Sequence, residues 1–521
     1  MTDSSQGGGG LAPNPEARAK AHPIYNWMSG IGAALAAVGL TAAAFLTLLG
    51  LIVGPASGYS GLILVPPAGM VGLGLLLGVT GWLRERRRHA RGRYSSFYDT
   101  WVVDPWGVVR GRGLWFVPLM VAAGTLALFA AGAGTVGLVE VSESNAFCTR
   151  ACHAVMGPEG TAYADTAHSR IACVECHVGA GPEGFLSAKL GGLRQLYAVA
   201  SGTVSRPIPT PMHRGSITRE RCEGCHLPER DVGYVGRAHS YFHSGGDVES
   251  NRMVMMVKVG RGPNGLLPGE GVHYHMQIAK KVEFIARDAQ RQEIAWVRAS
   301  GGNGKTREYQ LSSKPLSDAE RASLPVRSME CIDCHSRPAH RFASATDSVN
   351  RALEGRLLPR DLPSIKEVAV RALDGGYEST DAALEGIDRH VREYYGKEHP
   401  DLLKERAEAV EASIATLRKI YQRTIFPEMK ADWRAHPDNS GHLYSPGCFR
   451  CHNDQLRTAD GEQIATDCTT CHAVVAQSGS SAATTAEFEK GEPFLHPADG
   501  SAFEQFMLCS DCHTGGRELY E

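Results

Sequence analysis

The stretch CVECH at residues 173–177 shows a pattern that recurs along most of the chain. Cys-x-x-Cys-His appears again at 222–226, 331–335, 448–452, 468–472 and 509–513, and a variant with one extra residue, CTRACH, lies at 148–153. The pattern is typical of c-type haem attachment, in which two thiols form thioethers with the cofactor and the histidine binds the iron. The seven motifs use all 14 cysteines, so they predict seven haems and a protein that transfers electrons.

Zinc sites and disulfide bonds are the structural alternatives for these cysteines. A zinc ribbon requires cysteine pairs that converge, but it does not require a histidine directly after every second cysteine. A disulfide framework requires no histidine at all. The regular spacing therefore favours haem. The predicted attachment residues are Cys148, Cys152, His153, Cys173, Cys176, His177, Cys222, Cys225, His226, Cys331, Cys334, His335, Cys448, Cys451, His452, Cys468, Cys471, His472, Cys509, Cys512 and His513.

Apolar residues are unevenly distributed along the 521-residue chain. They concentrate in residues 1–140, whereas residues 141–521 are polar and interrupted by glycine and proline. A polar segment of this kind has difficulty in forming an ordinary hydrophobic core. We therefore expect the haems to supply apolar volume and the haem-free protein to fold poorly. The net charge of −2 gives no indication of nucleic-acid binding.

Three apolar runs, at residues 31–53, 62–83 and 114–139, are long enough to span a lipid bilayer as helices. A signal peptide is the alternative for the first run, but that run is too long and no small-residue cleavage site follows it. The arginine-rich loop 84–113 is predicted to be cytoplasmic, and the third run then carries the rest of the chain into the periplasm of a bacterium. These features predict a multi-pass protein of the inner membrane, with a disordered cytoplasmic N-terminus at residues 1–30.

Several features of residues 140–345 together resemble the NapC/NirT family of membrane-anchored tetrahaem quinol dehydrogenases. They are a membrane span, a methionine near the first motif, a histidine ahead of CVECH, a lysine-bearing helix that ends in RQLY, and CIDCHSRPAH at 331–340. Three spans, seven motifs and the stretch SRPIPTP at 205–211 are similar to the inner-membrane heptahaem cytochromes of metal-respiring bacteria. The resemblance implies that the chain oxidises quinol from the membrane quinone pool and reduces periplasmic electron-accepting cytochromes.

The segments between the motifs predict the remaining architecture. A tetrahaem domain at 141–345 contains a β insertion at about 250–312, with predicted strands at 253–259, 272–279, 282–286 and 294–299. A helical linker at 346–430 carries apolar residues at helical spacing from Val410 to Tyr421, and a trihaem domain occupies 431–521. The predicted fold is a mainly α and irregular multihaem cytochrome c with three N-terminal transmembrane helices and a small β insertion.

Twelve histidines outside the motifs lie in the predicted periplasmic part, enough for a second imidazole on six or seven irons. An iron with two axial ligands transfers electrons, whereas an open position binds substrates, so this supply favours electron transfer. The predicted iron ligands are the motif histidines His153, His177, His226, His335, His452, His472 and His513, with His168, His340, His442, His496, one of His273 and His275 (taken as His275), one of His239 and His243 (taken as His239), and Met156 at the first haem.

The resemblance also implies a quinol site between the end of the third span, the first haem and the helix at 184–201. A quinol loses two protons as it is oxidised, so the site requires a group that binds the hydroxyl and passes the proton to water. Lys189 and Gln195 match the positions of the family's site. Because an amide does not accept a proton at ordinary pH, Glu143, Glu159 or water is expected to take that role.

Two other functions fit the same motifs. One is a membrane-anchored reductase of a small nitrogen or sulfur oxyanion, which would require one haem with an open axial position. The other is a subunit that only relays electrons for a separate membrane complex. A solvated surface position is the structural alternative for Lys189.

Overall fold

The computed structural model describes residues 26–53, 65–93, 102–103, 109–110, 116–151, 153–178, 181–211, 218–226, 233–243, 250–260, 271–276, 281–300, 305–478, 491–496 and 508–520. The predicted disordered N-terminus lies almost entirely outside these residues. The chain divides into two compact units, which are residues 1–144 with 178–190 and residues 145–177 with 191–521.

The first unit contains a closely packed helix pair, α1 (Trp27–Val53) and α2 (Val65–His89). A Cβ atom added at Gly32 would lie 2.5 Å from the carbonyl oxygen of Gly74 and 2.6 Å from the amide nitrogen of Gly78. Only glycine allows the two backbones to come this close, as in small-residue contacts between membrane helices. The two helices therefore pack closely through these glycines.

A third long helix, α3 (Phe116–Glu143), completes this unit together with the short hairpin of β1 (Val102–Val103) and β2 (Val109–Arg110). Helices thus occupy all three of the predicted apolar runs. Within the described residues, the window Trp27–Ala44 of α1 is long and apolar enough to cross a membrane. The second and third spans stay predictions.

The second unit begins with short helices that carry or follow the first motifs. They are a π-helix at Phe147–Ala151, α4 (His153–Ala164), α5 (Cys173–His177), and α7 (Arg219–Glu223). The helix α6 (Gly181–Ala200) starts in the first unit and ends in the second. It confirms the helix predicted at 184–201.

Two antiparallel sheets follow the third motif. The three-stranded sheet has the order β10–β4–β3, formed by β3 (Tyr234–Phe242), β4 (Ser250–Lys258) and β10 (His472–Gln477). The five-stranded sheet has the order β8–β5–β6–β7–β9, formed by β5 (Lys281–Ala286), β6 (Ile294–Ser300), β7 (Thr306–Leu311), β8 (Arg327–Ser328) and β9 (Leu456–Arg457).

These sheets correct the sequence analysis in three ways. The β region starts at Tyr234 rather than at about 250. The predicted strand 272–279 is a 3₁₀ turn where it is described, at Val272–Met276. Strands β9 and β10 come from the predicted trihaem segment and pair with β7 and β4 of the predicted tetrahaem segment, so that boundary does not separate two compact units.

A helical segment forms the largest apolar core. It consists of α10 (Ala345–Glu354), α11 (Ile365–Leu373), α12 (Thr380–Glu398), α13 (Pro400–Glu405) and α14 (Ala407–Thr424). The predicted helical repeat is confirmed, because Val410, Ile414, Leu417 and Tyr421 are all buried in one cluster. Arg406 separates α13 from α14, which carries this repeat. Three further short helices are α8 (Asp318–Ser323), α9 (Cys331–Cys334) and α15 (Cys509–Cys512).

Candidate haem-binding sites

Each regular motif folds into one tight turn. In four of them the amide of the histidine donates a hydrogen bond to the carbonyl oxygen of the first cysteine, at 2.7 Å for His226, 2.8 Å for His335, 3.0 Å for His452 and 2.8 Å for His513. This turn brings two thiols and one imidazole together, as attachment of one haem requires. In the described part of the chain, no cysteine forms a disulfide.

A second histidine faces the motif histidine in six of the seven motifs. The distances between ring centroids fall between 5.7 and 6.3 Å. The pairs are His177 with His340, His226 with His168, His335 with His273, His452 with His275, His472 with His442, and His513 with His496.

These separations fit an iron between two imidazoles. A metal–imidazole bond is about 2 Å long, so two rings on opposite sides of one ion have their centroids about 6 Å apart. Direct ring stacking would bring the centroids closer, and surface histidines would show no common distance. The donor set therefore fits a haem iron with two axial histidines.

Hydrogen bonds at the other ring nitrogen support the same geometry. Nδ1 lies 3.2 Å from the Pro338 carbonyl oxygen in His168, 3.0 Å from that of Glu159 in His340, 3.0 Å from that of Val272 in His275 and 2.7 Å from that of Ala465 in His452. A carbonyl oxygen accepts a hydrogen bond from Nδ1–H, which keeps the proton on Nδ1 and leaves Nε2 unprotonated and free to bind metal. Burial also lowers the pKa of His340 and that of His442 to about 4 and so favours the neutral, metal-binding form.

The structure brings most of the predicted second ligands to a motif histidine. His168, His340, His442 and His496 each face one. The pair His273 and His275 departs from the prediction of a single ligand, because both rings face motif histidines. The reason is that Val272–Met276 form a 3₁₀ turn. In a 3₁₀ turn, side chains two residues apart point in different directions, whereas in a strand they point to the same face.

The expectation for His239 and His243 is not supported by the geometry. His239 is exposed on β3, and the ring of His243 lies against Asn251. The six motif histidines whose side chains are described already face other rings, so neither residue has a motif histidine opposite it within that part of the chain. His273, which faces His335, is the sixth second histidine in place of His239 or His243.

In each pair of consecutive motifs, one cysteine lies close enough to the other motif for a cysteine there to raise its pKa. In the haem-bound protein these sulfurs are thioethers that do not titrate, so the shifts serve here only as a sign of proximity. The pairs are Cys148 with Cys173, Cys176 with Cys225, Cys222 with Cys331, Cys334 with Cys448, Cys448 with Cys471, and Cys468 with Cys509. The motifs therefore follow one another in space in the same order as in the chain.

Arg450 provides one of the direct links in this series. It lies inside the motif CFRCH and donates hydrogen bonds to the carbonyl oxygens of Asp333, inside the preceding motif, and of Arg291. The Arg291 guanidinium also forms an ion pair with the Asp333 carboxylate. This network fixes the fourth and fifth motifs against each other, and nothing in the sequence pattern of either motif indicated it.

Comparison with known proteins agrees with this arrangement. The NapC/NirT cytochrome c family, N-terminal region, matches residues 112–214. The cytochrome c-type protein ImcH of Geobacter sulfurreducens is 35% identical over 501 residues, which cover 95% of this chain and 96% of that protein. The chain belongs to the NapC/NirT cytochrome c family. No solved structure matches it.

Membership of the NapC/NirT family makes the chain a membrane-associated cytochrome c that transfers electrons and holds haem iron. The family match starts just before α3 and ends after α6, so it covers the first two motifs and Lys189. The predicted resemblance to the NapC/NirT family is therefore confirmed. The number of haems and the electron donor are not fixed by the match.

Lys189 belongs to α6, and its ammonium lies next to the C-terminal end of α3. Its Nζ donates a hydrogen bond of 2.7 Å to the Ser142 hydroxyl and lies 3.5 Å from a carboxylate oxygen of Glu143. The ammonium also lies 4.9 Å from the centroid of the Phe185 ring. Ser142 and Phe185 were not identified from the sequence, because a serine at a helix end and a phenylalanine on an amphipathic helix carry no distinctive signal.

The two other residues of the predicted quinol site have different surroundings. Gln195 is exposed on α6. Glu159 is buried on α4, with one carboxylate oxygen 3.7 Å from the Arg337 guanidinium, and burial raises its pKa. The Glu159 carbonyl oxygen is hydrogen-bonded to Nδ1 of His340. Glu159 therefore also helps to hold a predicted iron ligand in position.

The first motif is only partly described. Asn145, three residues before Cys148, donates a hydrogen bond of 3.0 Å to the Tyr163 hydroxyl and accepts one of 2.8 Å from the Cys173 amide. Met156 is half-buried on α4. Cys152 and the His153 side chain lie outside the described residues, so the predicted Met156 ligation stays a prediction.

Proposed function

We propose that this chain is a heptahaem quinol dehydrogenase of a bacterial inner membrane, which oxidises quinol and delivers the electrons to periplasmic acceptors. The observation that carries the proposal is the set of six histidine pairs at 5.7–6.3 Å. Bound haem supplies one-electron redox chemistry, and its axial ligands decide whether it also binds substrates.

Two imidazoles per iron favour electron transfer over catalysis at iron. A reductase of a nitrogen or sulfur oxyanion requires an open axial position, and the six paired histidines leave none at their sites. The remaining site, at CTRACH, has Met156 three residues after its histidine on the same helix. The reductase is therefore the weaker alternative.

The order of the motifs suits electron transfer along the chain from its membrane end to its C-terminal end. The first motif follows α3 after a few residues, and each later motif lies near the one before it, as the cysteine pairs indicate. A donor at the membrane end and an acceptor at the C-terminal end would then be served by one series of neighbouring sites. This arrangement suits transfer from a membrane pool to a periplasmic partner.

The π-helix at Phe147–Ala151 accounts for the unusual spacing of the first motif. A π-helix has about 4.4 residues per turn, against about 3.6 in an α-helix. Four steps around it cover about the same angle as three steps around an α-helix. A wider turn of this kind suits a motif with one extra residue, which supports covalent attachment at CTRACH and a total of seven haems.

Lys189 has the surroundings that oxidation of quinol requires. Its ammonium favours the negative charge that develops on the quinol oxygen as a proton leaves. Glu143, 3.5 Å from Nζ, is a carboxylate able to accept that proton, a role for which Gln195 is unsuited. The neighbouring Ser142 hydroxyl fixes the ammonium and provides a second polar contact.

The proposal is tested with the purified full chain in lipid nanodiscs. A reduced menaquinol should reduce the haems, as followed by their absorbance, in a protein with seven haems per chain by the pyridine haemochrome method. In Lys189→Gln we expect slower reduction by quinol, with haem content and reduction by dithionite unchanged. The matched control is Arg194→Gln on the same helix, which removes an exposed charge and should reduce at the normal rate.

Two outcomes would contradict the proposal. If no quinol reduces the wild-type protein, quinol is rejected as the electron donor. The better-supported function is then that of a subunit that only relays electrons for a separate membrane complex. A normal rate in Lys189→Gln would show that the lysine is only a surface residue, with the function otherwise intact.

A further inference from the structure

The five-stranded sheet holds the fourth and fifth motifs at its two opposite edges. One edge strand, β8, lies just before Cys331, the first cysteine of the fourth motif. The other edge strand, β9, lies just after His452, the histidine of the fifth motif. One sheet therefore restrains both motifs, although they are far apart in the chain.

A single turn also supplies the second histidines of these two sites. His273 faces His335 of the fourth motif and His275 faces His452 of the fifth, with ring centroids 6.3 and 5.7 Å apart. Residues two positions apart have Cα atoms no more than about 7 Å from each other. The fourth and fifth haem sites are therefore close neighbours.

The side chain of Arg450 lies at the junction of the two motifs. It occupies one of the two positions between the cysteines of the fifth motif. Its three guanidinium nitrogens donate hydrogen bonds to the carbonyl oxygens of Gly447 at 2.8 Å, Arg291 at 2.7 Å and Asp333 at 2.5 Å. These carbonyls belong to the fifth motif's own turn, to the turn between β5 and β6, and to the fourth motif. One side chain thus ties three segments together.

The positive charge of Arg450 has only neutral carbonyl partners in the described part of the chain. The buried carboxylate of Asp333 forms its ion pair with Arg291 instead, and it also accepts a hydrogen bond of 2.8 Å from the Glu330 amide. Two guanidinium groups and one carboxylate therefore leave one positive charge beside both motifs.

This charge reaches the attachment cysteines of both motifs. Burial is the main cause that raises the pKa of Cys334, in the fourth motif, and of Cys448 and Cys451, in the fifth. At each of the three thiols the Arg450 charge opposes that rise. Because haem-bound sulfurs do not titrate, the effect serves only as a sign that the guanidinium is near both attachment sites.

We infer that Arg450 is a positioning residue for the fourth and fifth haem sites, and that its positive charge raises the reduction potential of both irons. Each iron takes up one electron as it passes from the ferric to the ferrous state, so the reduced site carries one positive charge fewer. A fixed cation nearby therefore favours the reduced state. The inference rests on the proposed function only for the presence of haem at these two motifs.

The place of Arg450 in the series gives this role a consequence for electron transfer. On the proposed series of neighbouring sites, an electron that goes from the first four motifs to the last three crosses from the fourth site to the fifth. A charge shared by the two sites raises both potentials together. It makes the pair easier to reduce without opposing the step between its members.

The experiment compares Arg450→Met, Arg450→Lys and the control Arg389→Met in the full haem-loaded chain. Arg389 is an exposed arginine of α12, in the helical segment whose core contains no motif residue. Spectropotentiometric titration with chemical mediators should show two components at lower potential in Arg450→Met and no shift in the control. Arg450→Lys keeps the charge but loses most of the hydrogen bonds, so its shifts should be smaller.

A fourth variant, Asp333→Asn, should have the opposite effect. It removes the carboxylate that pairs with Arg291 and keeps the size of the side chain, so the same two components should move to higher potential. Mere loosening of the turns would admit water in both variants and shift their potentials in the same direction. Titration of His273→Met and His275→Met identifies the two components, because thioether ligation raises the potential of one haem in each.

Three results of these titrations would overturn the inference. They are unchanged potentials in Arg450→Met, shifts of the same sign in Arg450→Met and Asp333→Asn, and shifts of components other than the two identified through His273 and His275.

Amide hydrogen exchange tests the positioning role without any redox reaction. We expect faster exchange in both motif turns, at 331–335 and 447–452, in Arg450→Met and no change in Arg389→Met. Unchanged exchange in both turns would show that Arg450 does not position the motifs. Neither readout uses quinol. A pyridine haemochrome count below seven would count against the proposed function, whereas a full count with unshifted potentials would reject this inference alone.

Discussion

The helical segment at 345–424 and the C-terminal segment at 440–520 contrast in how they fill their interiors. In the helical segment, residues from five helices form one apolar cluster that includes Leu353, Ile387 and Leu417, each fully buried. In the described part of the C-terminal segment, the buried apolar residues are only Leu456, Ala473 and Val474, yet it carries three motifs. One region supplies its own core, whereas the other depends on cofactors for apolar volume.

Removal of haem should separate the two regions most clearly. In protein expressed without the haem-attachment machinery, we expect residues 440–520 to exchange their amide hydrogens rapidly and to be cleaved by protease. The helices α10–α14 should keep slow exchange, because their core contains no motif residue. Hydrogen exchange followed by mass spectrometry measures both at once. Equal protection of the two regions would remove the contrast.

A core substitution sharpens the comparison from the other side. Leu417→Ala removes a fully buried side chain from α14 and should lower the free energy of unfolding of the helical segment by about 2–5 kcal/mol. Leu357→Ala is the control, because that side chain is 64% exposed and its loss should change little. Both variants should keep all haems and their potentials. Exchange rates on α14 that are the same in the two variants would speak against an independent core.

The smallest predicted effect concerns single irons. His273→Met and His275→Met alter two residues of one 3₁₀ turn, yet their rings face different motif histidines, His335 and His452. Thioether ligation raises the potential of a haem, so each variant should shift one component upward, and not the same one. Potentiometric titration of the two variants distinguishes the components. A shift of the same haem in both would reject the pairing.

How far the sequence predicted this structure depended on the range of the interactions. The helical repeat from Val410 to Tyr421 is a local pattern and is confirmed in the described residues. The motifs are local patterns too, and the regular ones fold into tight turns, while haem attachment at them stays a prediction. His168, His340, His442 and His496 were found because they lie close to motifs in the chain. That reasoning works only where nearness in sequence reflects nearness in space.

The failures all involve partners distant in the chain. VHYHMQIA alternates as a strand does, but its described residues, Val272–Met276, form a turn that places two histidine rings opposite two motif histidines. Strand β3 contains a glycine, an arginine, a histidine and a serine, and its pairing with β4 along its full length overrides that weak propensity. The pairing of β10 with β4 joins segments that are more than two motifs apart, and no local pattern encodes it. Arg450 was not noticed, because a single arginine shows its partners only in three dimensions.

The pairing of His177 with His340 has a consequence for the order in which the protein is built. On the proposed topology, the part of the chain after α3 is exported from its N-terminal end, and in the five other pairs the second histidine precedes the motif histidine that it faces. Irons at those five motifs would have both histidines available as soon as the cysteines emerge. An iron at CVECH would wait until two further motifs have been exported, so it would keep an open position, reactive toward small molecules, for the longest part of assembly.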